Sequence, residues 1–119
     1  MSNVLLLEDN ADTRTMLVYL LEAAGHSVRA VGSIKLALQE LQLASYEVLI
    51  SDISLPDGDG WDLMRELRRR DASICGIAMS GYSSSGDVAK SLESGFQHHL
   101  VKPIDFDELE SILRTDTLP

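Results

Sequence analysis

Five polar residues of this 119-residue chain stand at the ends of short apolar segments. They are two adjacent acids, a third acid, a hydroxyl and an amine: Glu8, Asp9, Asp52, Ser80 and Lys102. Carboxylates that lie close together repel one another, and a hard divalent cation such as Mg²⁺ (or Mn²⁺) is the usual way to stabilise them. A hydroxyl and a lysine beside that cation are suited to binding phosphoryl oxygens. The combination predicts phosphoryl transfer to Asp52 at a metal site.

Each of these residues has a simpler explanation when it is considered alone. Asp52 could begin a loop as an Asx residue, Ser80-Gly81 could be a turn, and Lys102-Pro103 could be a surface lysine before a structural proline. Glu8-Asp9 could favour the positive N-terminus of the following helix. The prediction of a site therefore depends on all of them occurring together at one edge of a sheet.

The apolar segments alternate with segments of helical period, which predicts strands joined by crossover helices in a parallel sheet. The pattern fits five strand and helix units in one domain, residues 1–119. The predicted strands are Val4–Leu7, Ser27–Val31, Glu47–Ser51, Ile74–Met79 and Gln97–Val101.

The polarity of the strands predicts their order in the sheet. The second strand contains Ser27 and Arg29 and the fifth contains Gln97, His98 and His99, so these two belong at the edges. The fold class is then α/β, a flavodoxin-like (βα)5 arrangement with strand order 2-1-3-4-5. Ligands of such sheets bind beyond the carboxyl ends of the strands, where the order reverses. We therefore expect the five polar residues to converge at that edge.

Several helix boundaries can also be predicted. Asn10, Ser33 and Asp105 are suited to cap the first, second and last helices, and Gly25 supplies a left-handed stop to the first helix. The helix after Ser85 has a thin apolar stripe, so we expect it to be the most weakly anchored. The apolar face predicted for the first helix consists of Met16, Leu17, Leu20, Leu21 and Ala24.

Composition excludes several classes of function. The chain has 10 Lys and Arg against 19 Asp and Glu, a net charge of -9, which disfavours direct binding to nucleic acid. No apolar run approaches the ~20 residues that span a bilayer, and Met1-Ser2-Asn3 lacks a basic signal-peptide region. The only cysteine, Cys75, is expected to be a small buried hydrophobe, and its occurrence alone suits a reducing cytoplasm.

Trp61 and the run Arg68–Arg70 are expected to have structural roles and not to belong to the site. Trp61 starts the third helix in front of Met64 and Leu67, so we expect it to pack in the core. The run Arg68–Arg70 is expected to lie on a solvated helix end.

The sequence resembles the receiver domains of bacterial two-component signalling over nearly its whole length. The matching segments are 5–10 (LLLEDN), 52–60 (DISLPDGDG), Ser80-Gly81 and Lys102-Pro103. The resemblance implies phosphorelay signalling, with Asp52 as the phosphoacceptor, and a domain that catalyses only its own phosphorylation and dephosphorylation. It also implies a sensor histidine kinase or a histidine phosphotransfer protein as the partner.

The resemblance assigns further roles to individual residues. Asp9 would be a direct metal ligand, Glu8 an acidic partner acting through water, and the backbone carbonyl of Ser54 a third protein ligand. Ser80 and Lys102 match the hydroxyl and lysine positions of the family. The peptide bond before Pro103 is expected to be cis.

The resemblance also implies how a signal leaves the domain. The hydroxyl residue moves toward the phosphoryl group, and an aromatic residue on the fifth strand turns inward. The fourth helix, fifth strand and fifth helix then present an altered surface to an output partner or to a second copy in a homodimer. The aromatic position is His99 here, and we hypothesise that His99 acts as the switch with some sensitivity to pH.

Other readings of the same residues remain open. A phosphohydrolase of the haloacid-dehalogenase kind also uses Asp, a hydroxyl, Lys and Mg²⁺, but its second acid would fall at Ser54. A flavin binder is disfavoured by the acidic loop after the first strand. A receiver-like module that acts without phosphorylation is the third alternative. The segment Gly95–Pro103 resembles receivers fused to hybrid sensor kinases.

Overall fold

Strands and helices alternate along residues 2–70, 73–81 and 85–116, the parts of the chain that the computed structural model describes. The strands are β1 Asn3–Leu7, β2 Ser27–Val31, β3 Val48–Asp52, β4 Ser54–Leu55, β5 Gly58–Asp59, β6 Cys75–Ser80 and β7 His98–Val101. The helices are α1 Ala11–Ala23, α2 Ile34–Leu43, α3 Gly60–Arg69, α4 Ser85–Ser94 and α5 Phe106–Asp116.

Five of the strands form one parallel sheet in the order β2-β1-β3-β6-β7. This confirms the predicted flavodoxin-like order 2-1-3-4-5, because β4 and β5 form a separate two-stranded antiparallel hairpin. The hairpin follows β3 immediately and was not predicted. Its strands have only two residues each, which is too short for a periodic pattern.

The register aligns the carboxyl ends of the central strands. Asp52 pairs with Met79, and Ser80 pairs with Val101. The predicted strand boundaries differ from the observed ones by at most one residue at each end. One consequence is that Asp52 and Ser80 are the last residues of β3 and β6, where the prediction placed each just after its strand.

The sheet is covered on both faces by apolar clusters, as its central strands require. Alternate residues of β1 and β3 point to opposite faces, so each strand contributes to both clusters. The first cluster packs α1 and α5 on the sheet through Val4, Leu6, Leu17, Leu21, Val48, Ile50, Leu109 and Leu113. The second packs α2 and α3 on the other face through Leu5, Leu7, Ala37, Leu49, Leu63, Met64 and Leu67.

The predicted helix caps are present. Asn10 accepts a hydrogen bond from the backbone N–H of Thr13, and Ser33 accepts one from Leu36. Asp105 accepts one from Asp107, and Gly25 has a φ of 96° after α1.

The predicted apolar face of α1 is only partly right. Leu17 and Leu21 are buried, whereas Met16 is 53% exposed and Ala24 is exposed. The buried face of α1 is therefore narrower than the one predicted. Cys75 is buried, as expected.

Membrane insertion was not expected from the sequence. Among the residues described here, no helix combines the length and the apolar character that crossing a bilayer requires.

Candidate functional site

The acidic part of the site is formed by the turn after β1 and the last residue of β3. Glu8 is fully buried, Asp52 is 3% exposed and Asp9 is exposed. Each of the three offers a carboxylate oxygen, and these oxygens all lie within 4.8 Å of one another. β1 and β3 are neighbours in the sheet. The fold therefore brings together acids that are far apart in the sequence.

The turn that carries Glu8 is held at both its carboxylate and its backbone. The backbone N–H of Asn10 donates to Glu8 Oε2 at 2.9 Å. Arg14 Nη1 donates to the backbone carbonyl of Glu8 at 2.8 Å. Sequence analysis missed Arg14, because a side chain that binds a backbone carbonyl leaves no pattern in residue types.

The loop after β3 carries Ser54, whose backbone carbonyl is a predicted metal ligand. The backbone N–H of Gly60 donates to the carbonyl of Ile53 at 2.8 Å, which closes the loop behind Asp52. A Cβ atom at position 60 would clash with the backbone oxygen of Asp52. Glycine is therefore required at this position for the close approach of the two segments.

Asp57 fixes the same loop to the start of α2. Its carboxylate oxygens accept hydrogen bonds from the backbone N–H groups of Ile34 and Lys35 at 2.9 and 3.0 Å. These two bonds hold the pKa of Asp57 below its usual value. Asp57-Gly58 is a turn signal in the sequence, but the partner helix could not be inferred from it.

Lys102 directly follows β7 and contacts two of the three acids. Its Nζ lies 2.7 Å from Glu8 Oε1 and 2.6 Å from Asp52 Oδ1. Burial lowers the pKa of Lys102, but contacts with Asp52 and Glu8 raise it more, so the amine stays charged at neutral pH. The bond between Lys102 and Pro103 is a cis peptide bond.

The electrostatic state of Asp52 differs from that of Glu8. Burial, followed by the nearby Glu8 carboxylate, raises the pKa of Asp52 to about 8 even though Lys102 lowers it. Burial also raises the pKa of Glu8, but hydrogen bonds with Asp52, Lys102 and Asn10 bring it below its usual value. This balance favours the protonated form of Asp52 and the ionised form of Glu8 beside Lys102.

The donor set fits a hard divalent cation. Both carboxylate oxygens of Asp52 are buried and, within the described residues, neither accepts a hydrogen bond of good geometry, although Lys102 Nζ lies 2.6 Å from Oδ1. Buried oxygens of this kind beside two further carboxylates are typical of Mg²⁺ sites. Both carboxylate oxygens of Glu8 are already engaged, Oε1 by Lys102 and Oε2 by the backbone N–H of Asn10.

A cavity of about 460 Å³ opens beside these acids. Glu8 is not part of its lining, so its carboxylate lies behind the cavity wall. The cavity is larger than one phosphoryl group and its wall includes apolar surface. The lining consists of Asp9, Asp52, Ile53, Ser54, Asp59, Trp61, Met79, Ser80, Gly81, Asp87 and Lys102.

Ser80 and His99 are in contact across β6 and β7. Ser80 Oγ lies 2.9 Å from His99 Nε2, and Ser80 lines the cavity. The backbone N–H of Lys102 donates to the Ser80 carbonyl at 2.8 Å. The structure thus places Asp9, Asp52, Ser54, Ser80 and Lys102 around one cavity, with Glu8 behind its wall and His99 behind Ser80.

The packing predicted for Trp61 is confirmed, whereas the solvent exposure predicted for Arg68–Arg70 is confirmed only for Arg69 and Arg70. Trp61 is half-buried and packs against the second cluster, but it also lines the cavity, and its Nε1 donates to Ser91 Oγ at 2.9 Å. Arg68 is half-buried, because its guanidinium donates to the backbone carbonyl of Gly95 at 2.7 and 3.1 Å. Both residues join α3 to the segment around α4, which the sequence could not show.

Comparison with known proteins places this arrangement in a family. Residues 4–114 match the model of the response regulator receiver domain. The KDP operon transcriptional regulatory protein KdpE of Escherichia coli is 34% identical over 114 residues, which are 96% of this chain and 50% of KdpE. The chain therefore spans about half the length of that relative.

Solved structures of receiver domains have the same fold as this chain. The receiver domain of the Francisella response regulator 1452 has a TM-score of 0.89 and 27% identity, over 98% of this chain and 94% of that chain. The signal receiver domain of a signal transduction histidine kinase from Syntrophus aciditrophicus has a TM-score of 0.86 and 29% identity, over 96% and 88%. The alternatives considered from sequence gain no better support from these matches.

Proposed function

Because this chain belongs to the response regulator receiver domain family, we propose that it acts in phosphorelay signal transduction by accepting a phosphoryl group on Asp52. Members of this family are signalling domains and not conventional enzymes. The observation that carries the proposal is the buried Asp52 carboxylate, which lies among Glu8, Asp9 and Lys102 at one edge of the sheet. The catalysis would be limited to the domain's own phosphorylation and dephosphorylation.

Asp9, Asp52 and the backbone carbonyl of Ser54 would hold Mg²⁺ (or Mn²⁺), with Glu8 as an acidic neighbour. When bound, the cation would favour the ionised form of Asp52 and neutralise charge on the phosphoryl oxygens. Asp57 and Arg14 would support this function indirectly, because they fix the two loops that carry the ligands.

In the transfer, a carboxylate oxygen of Asp52 attacks phosphorus and forms a P–O bond. The bond from phosphorus to the donor nitrogen of a phosphohistidine breaks, and the released imidazole keeps the electron pair and takes up a proton. Lys102 Nζ, 2.6 Å from Asp52, would neutralise the negative charge that develops on the phosphoryl oxygens. Ser80 donates a hydrogen bond to another phosphoryl oxygen. Hydrolysis of the P–O bond by water would return Asp52 and release inorganic phosphate.

The donor would be a sensor histidine kinase or a histidine phosphotransfer protein, since receiver domains interact with these two classes. The likeness to the receiver of a histidine kinase from Syntrophus aciditrophicus supports the idea that this domain works within a hybrid sensor kinase. It would act on the cytoplasmic side and would not bind nucleic acid directly, given its net charge of -9.

The signal would leave through α4, β7 and α5, which would contact an output partner or a second copy in a homodimer. Leu92 and Val101 are 52% and 45% exposed on this surface. His99 on β7 would act as the conformational switch with some sensitivity to pH. A His99→Phe variant that keeps both the conformational response and its pH profile would contradict that role.

The central test uses the whole chain, Mg²⁺ and a small phosphodonor such as acetyl phosphate. Intact-mass spectrometry should find one added phosphoryl group on the wild-type protein and none on Asp52→Ala. The control is Asp12→Ala, which removes an exposed acid from α1 and should leave phosphorylation unchanged. Phosphorylation of Asp52→Ala, or none in a folded wild-type protein with any donor, would reject the proposal.

A further inference from the structure

A chain of polar contacts runs from α3 through α4 and β7 to the cavity. Trp61 Nε1 donates to Ser91 Oγ at 2.9 Å. Ser91 Oγ lies 2.7 Å from His99 Nδ1, and His99 Nε2 lies 2.9 Å from Ser80 Oγ. Ser91 is fully buried, so water cannot replace its contacts.

The direction of each hydrogen bond follows from its donors and acceptors. The indole N–H of Trp61 can only donate, so Ser91 Oγ accepts there. The Ser91 hydroxyl must then donate its own hydrogen, and His99 Nδ1 is the acceptor that it meets among the described residues. Ser94, one turn later in α4, behaves differently because its hydroxyl donates to the Lys90 carbonyl of its own helix at 2.6 Å.

A Ser91 hydroxyl that donates to Nδ1 sets the tautomer of His99. A neutral imidazole that accepts at Nδ1 carries its hydrogen at Nε2, and Nε2 therefore donates to Ser80 Oγ. We propose that the Trp61, Ser91 and His99 contacts orient the Ser80 hydroxyl, so that Ser91 and Trp61 are positioning residues for the phosphoryl group on Asp52. This inference rests on the proposed function of Asp52.

The orientation has a direct chemical consequence. Ser80 Oγ accepts from His99, and its own hydrogen is therefore directed away from the imidazole ring. Ser80 lines the cavity with Asp52 and Lys102, whereas His99 does not, so a phosphoryl oxygen in the cavity would accept the hydrogen bond. The hydrogen bonds that link Trp61, Ser91, His99 and Ser80 then all run in one direction, which strengthens each of them.

The same contacts connect the cavity to two helices. A shift of Ser80 toward a phosphoryl oxygen alters its contact with His99, and the ring passes that change to Ser91 in α4. His99 is already bonded to Ser80 in this structure, so the coupling does not require the ring to turn inward first.

The tautomer can be measured by ¹⁵N NMR on the whole, unphosphorylated chain at a pH where the ring is neutral. His99→Gln identifies the His99 signals by their loss. The wild-type protein should have hydrogen on Nε2, and Ser91→Ala should shift the nitrogen signals toward a mixture of tautomers. The matched control, Ser94→Ala, changes a buried serine of the same helix and should leave them unchanged.

Two results of this measurement would overturn the proposal. One is a wild-type His99 that carries its hydrogen on Nδ1, which needs no variant to detect. The other is a folded Ser91→Ala protein with wild-type His99 signals.

Phosphorylation rates with acetyl phosphate and Mg²⁺ test the positioning role. Loss of the oriented donor should slow Ser91→Ala about tenfold and Trp61→Phe about threefold, with Ser94→Ala unchanged. If Ser91→Ala does not fold, Trp61→Phe provides the rate comparison. Unchanged rates in the variants would reject the positioning role, whereas an unphosphorylated wild-type protein with the expected His99 tautomer would reject the function of Asp52 instead.

Discussion

The two sides of the cavity are built by different kinds of packing. On the acidic side, all five residues of β3 are buried, and apolar clusters cover the strand on both faces. On the other side, the buried residues of α4 are Ser91 and Ser94 among those whose burial is described, 86–94, whereas Leu92 is 52% exposed. Apolar packing holds the acids in place, and polar contacts hold the segment that would respond to them.

The difference has a physical consequence for signalling. Moving a packed apolar residue opens a cavity and costs several kcal/mol, whereas one hydrogen bond can be exchanged for another at little net cost. Helix α4 can therefore change its arrangement while the acids stay fixed. Lys102 joins the two sides, because it follows β7 and contacts Glu8 and Asp52.

The largest effect is expected from breaking the apolar packing of β3. Leu49→Ala should lower the free energy of unfolding by about 2–5 kcal/mol, because Leu49 is fully buried and the change leaves a cavity. The control Leu92→Ala, on half-exposed α4, should change it by less than about 0.5 kcal/mol. Chemical denaturation followed by circular dichroism measures both values, and equal losses would contradict the comparison.

Removing the link between the two sides should impair the chemistry. Lys102→Ala should lower the rate of phosphorylation by acetyl phosphate about a hundredfold, because the charge on the phosphoryl oxygens loses its cationic partner. Lys102→Met serves as a control that keeps the aliphatic stem, and it should lose as much. A Met variant with wild-type rates would show that the amine is not needed.

The raised pKa of Asp52 predicts a pH dependence of stability in metal-free buffer. Between its ordinary pKa of 3.8 and the folded value of about 8, the unfolded chain binds fewer protons at this residue than the folded chain. The contribution of Asp52 to the free energy of unfolding therefore falls as pH rises through that window. Asp52→Asn lacks this penalty and should be more stable than wild type by about 1–3 kcal/mol at pH 8.

The pH series gives the decisive comparison for that variant. The stability difference between Asp52→Asn and wild type should grow from pH 4 to pH 8 and then level off. The lowered pKa of Glu8 acts at the acidic end, because its contribution is lost as pH falls below about 4.5. A difference that stays constant over the series would mean that Asp52 is ionised in the folded protein.

The smallest effect is expected from breaking one polar contact between α3 and the residue that follows α4. Arg68→Ala should lower the free energy of unfolding by about 1–2 kcal/mol, because it leaves the Gly95 carbonyl without two hydrogen bonds. The control Arg69→Ala removes a surface ion pair with Glu66 and should cost less than about 0.5 kcal/mol. Similar losses in thermal denaturation would show that the contact of Arg68 contributes no more than a surface charge.

The sequence predicted those features that depend only on residues within one strand or helix. The strand boundaries and the caps at Asn10 and Ser33 were predictable because apolar periodicity and capping chemistry are local. The sheet order followed from the polarity of the edge strands. The position of Asp52 at the end of a central strand then placed it at the ligand-binding edge.

The contacts that support the site could not be predicted in the same way. Arg14 and Arg68 each bind a backbone carbonyl, and every residue has one, so no residue type marks the partner. Met16 fitted the helical period of α1 but is half-exposed, because the period does not specify how wide a face the sheet will cover. Trp61 was correctly seen as packing, yet its hydrogen bond to Ser91 depends on the approach of α4 to α3.

By itself, the sequence determined the five strand and helix units, their order in the sheet and the edge at which the acids, hydroxyl and lysine meet. These follow from hydrophobic periodicity and strand polarity, which each segment expresses on its own. Only the tertiary structure decided that Asp52 is buried with a raised pKa, that Glu8 lies behind the cavity, and that His99 joins Ser80 to Ser91. Those properties depend on distances of a few ångströms between separate segments, and such distances exist only after the helices have packed on the sheet.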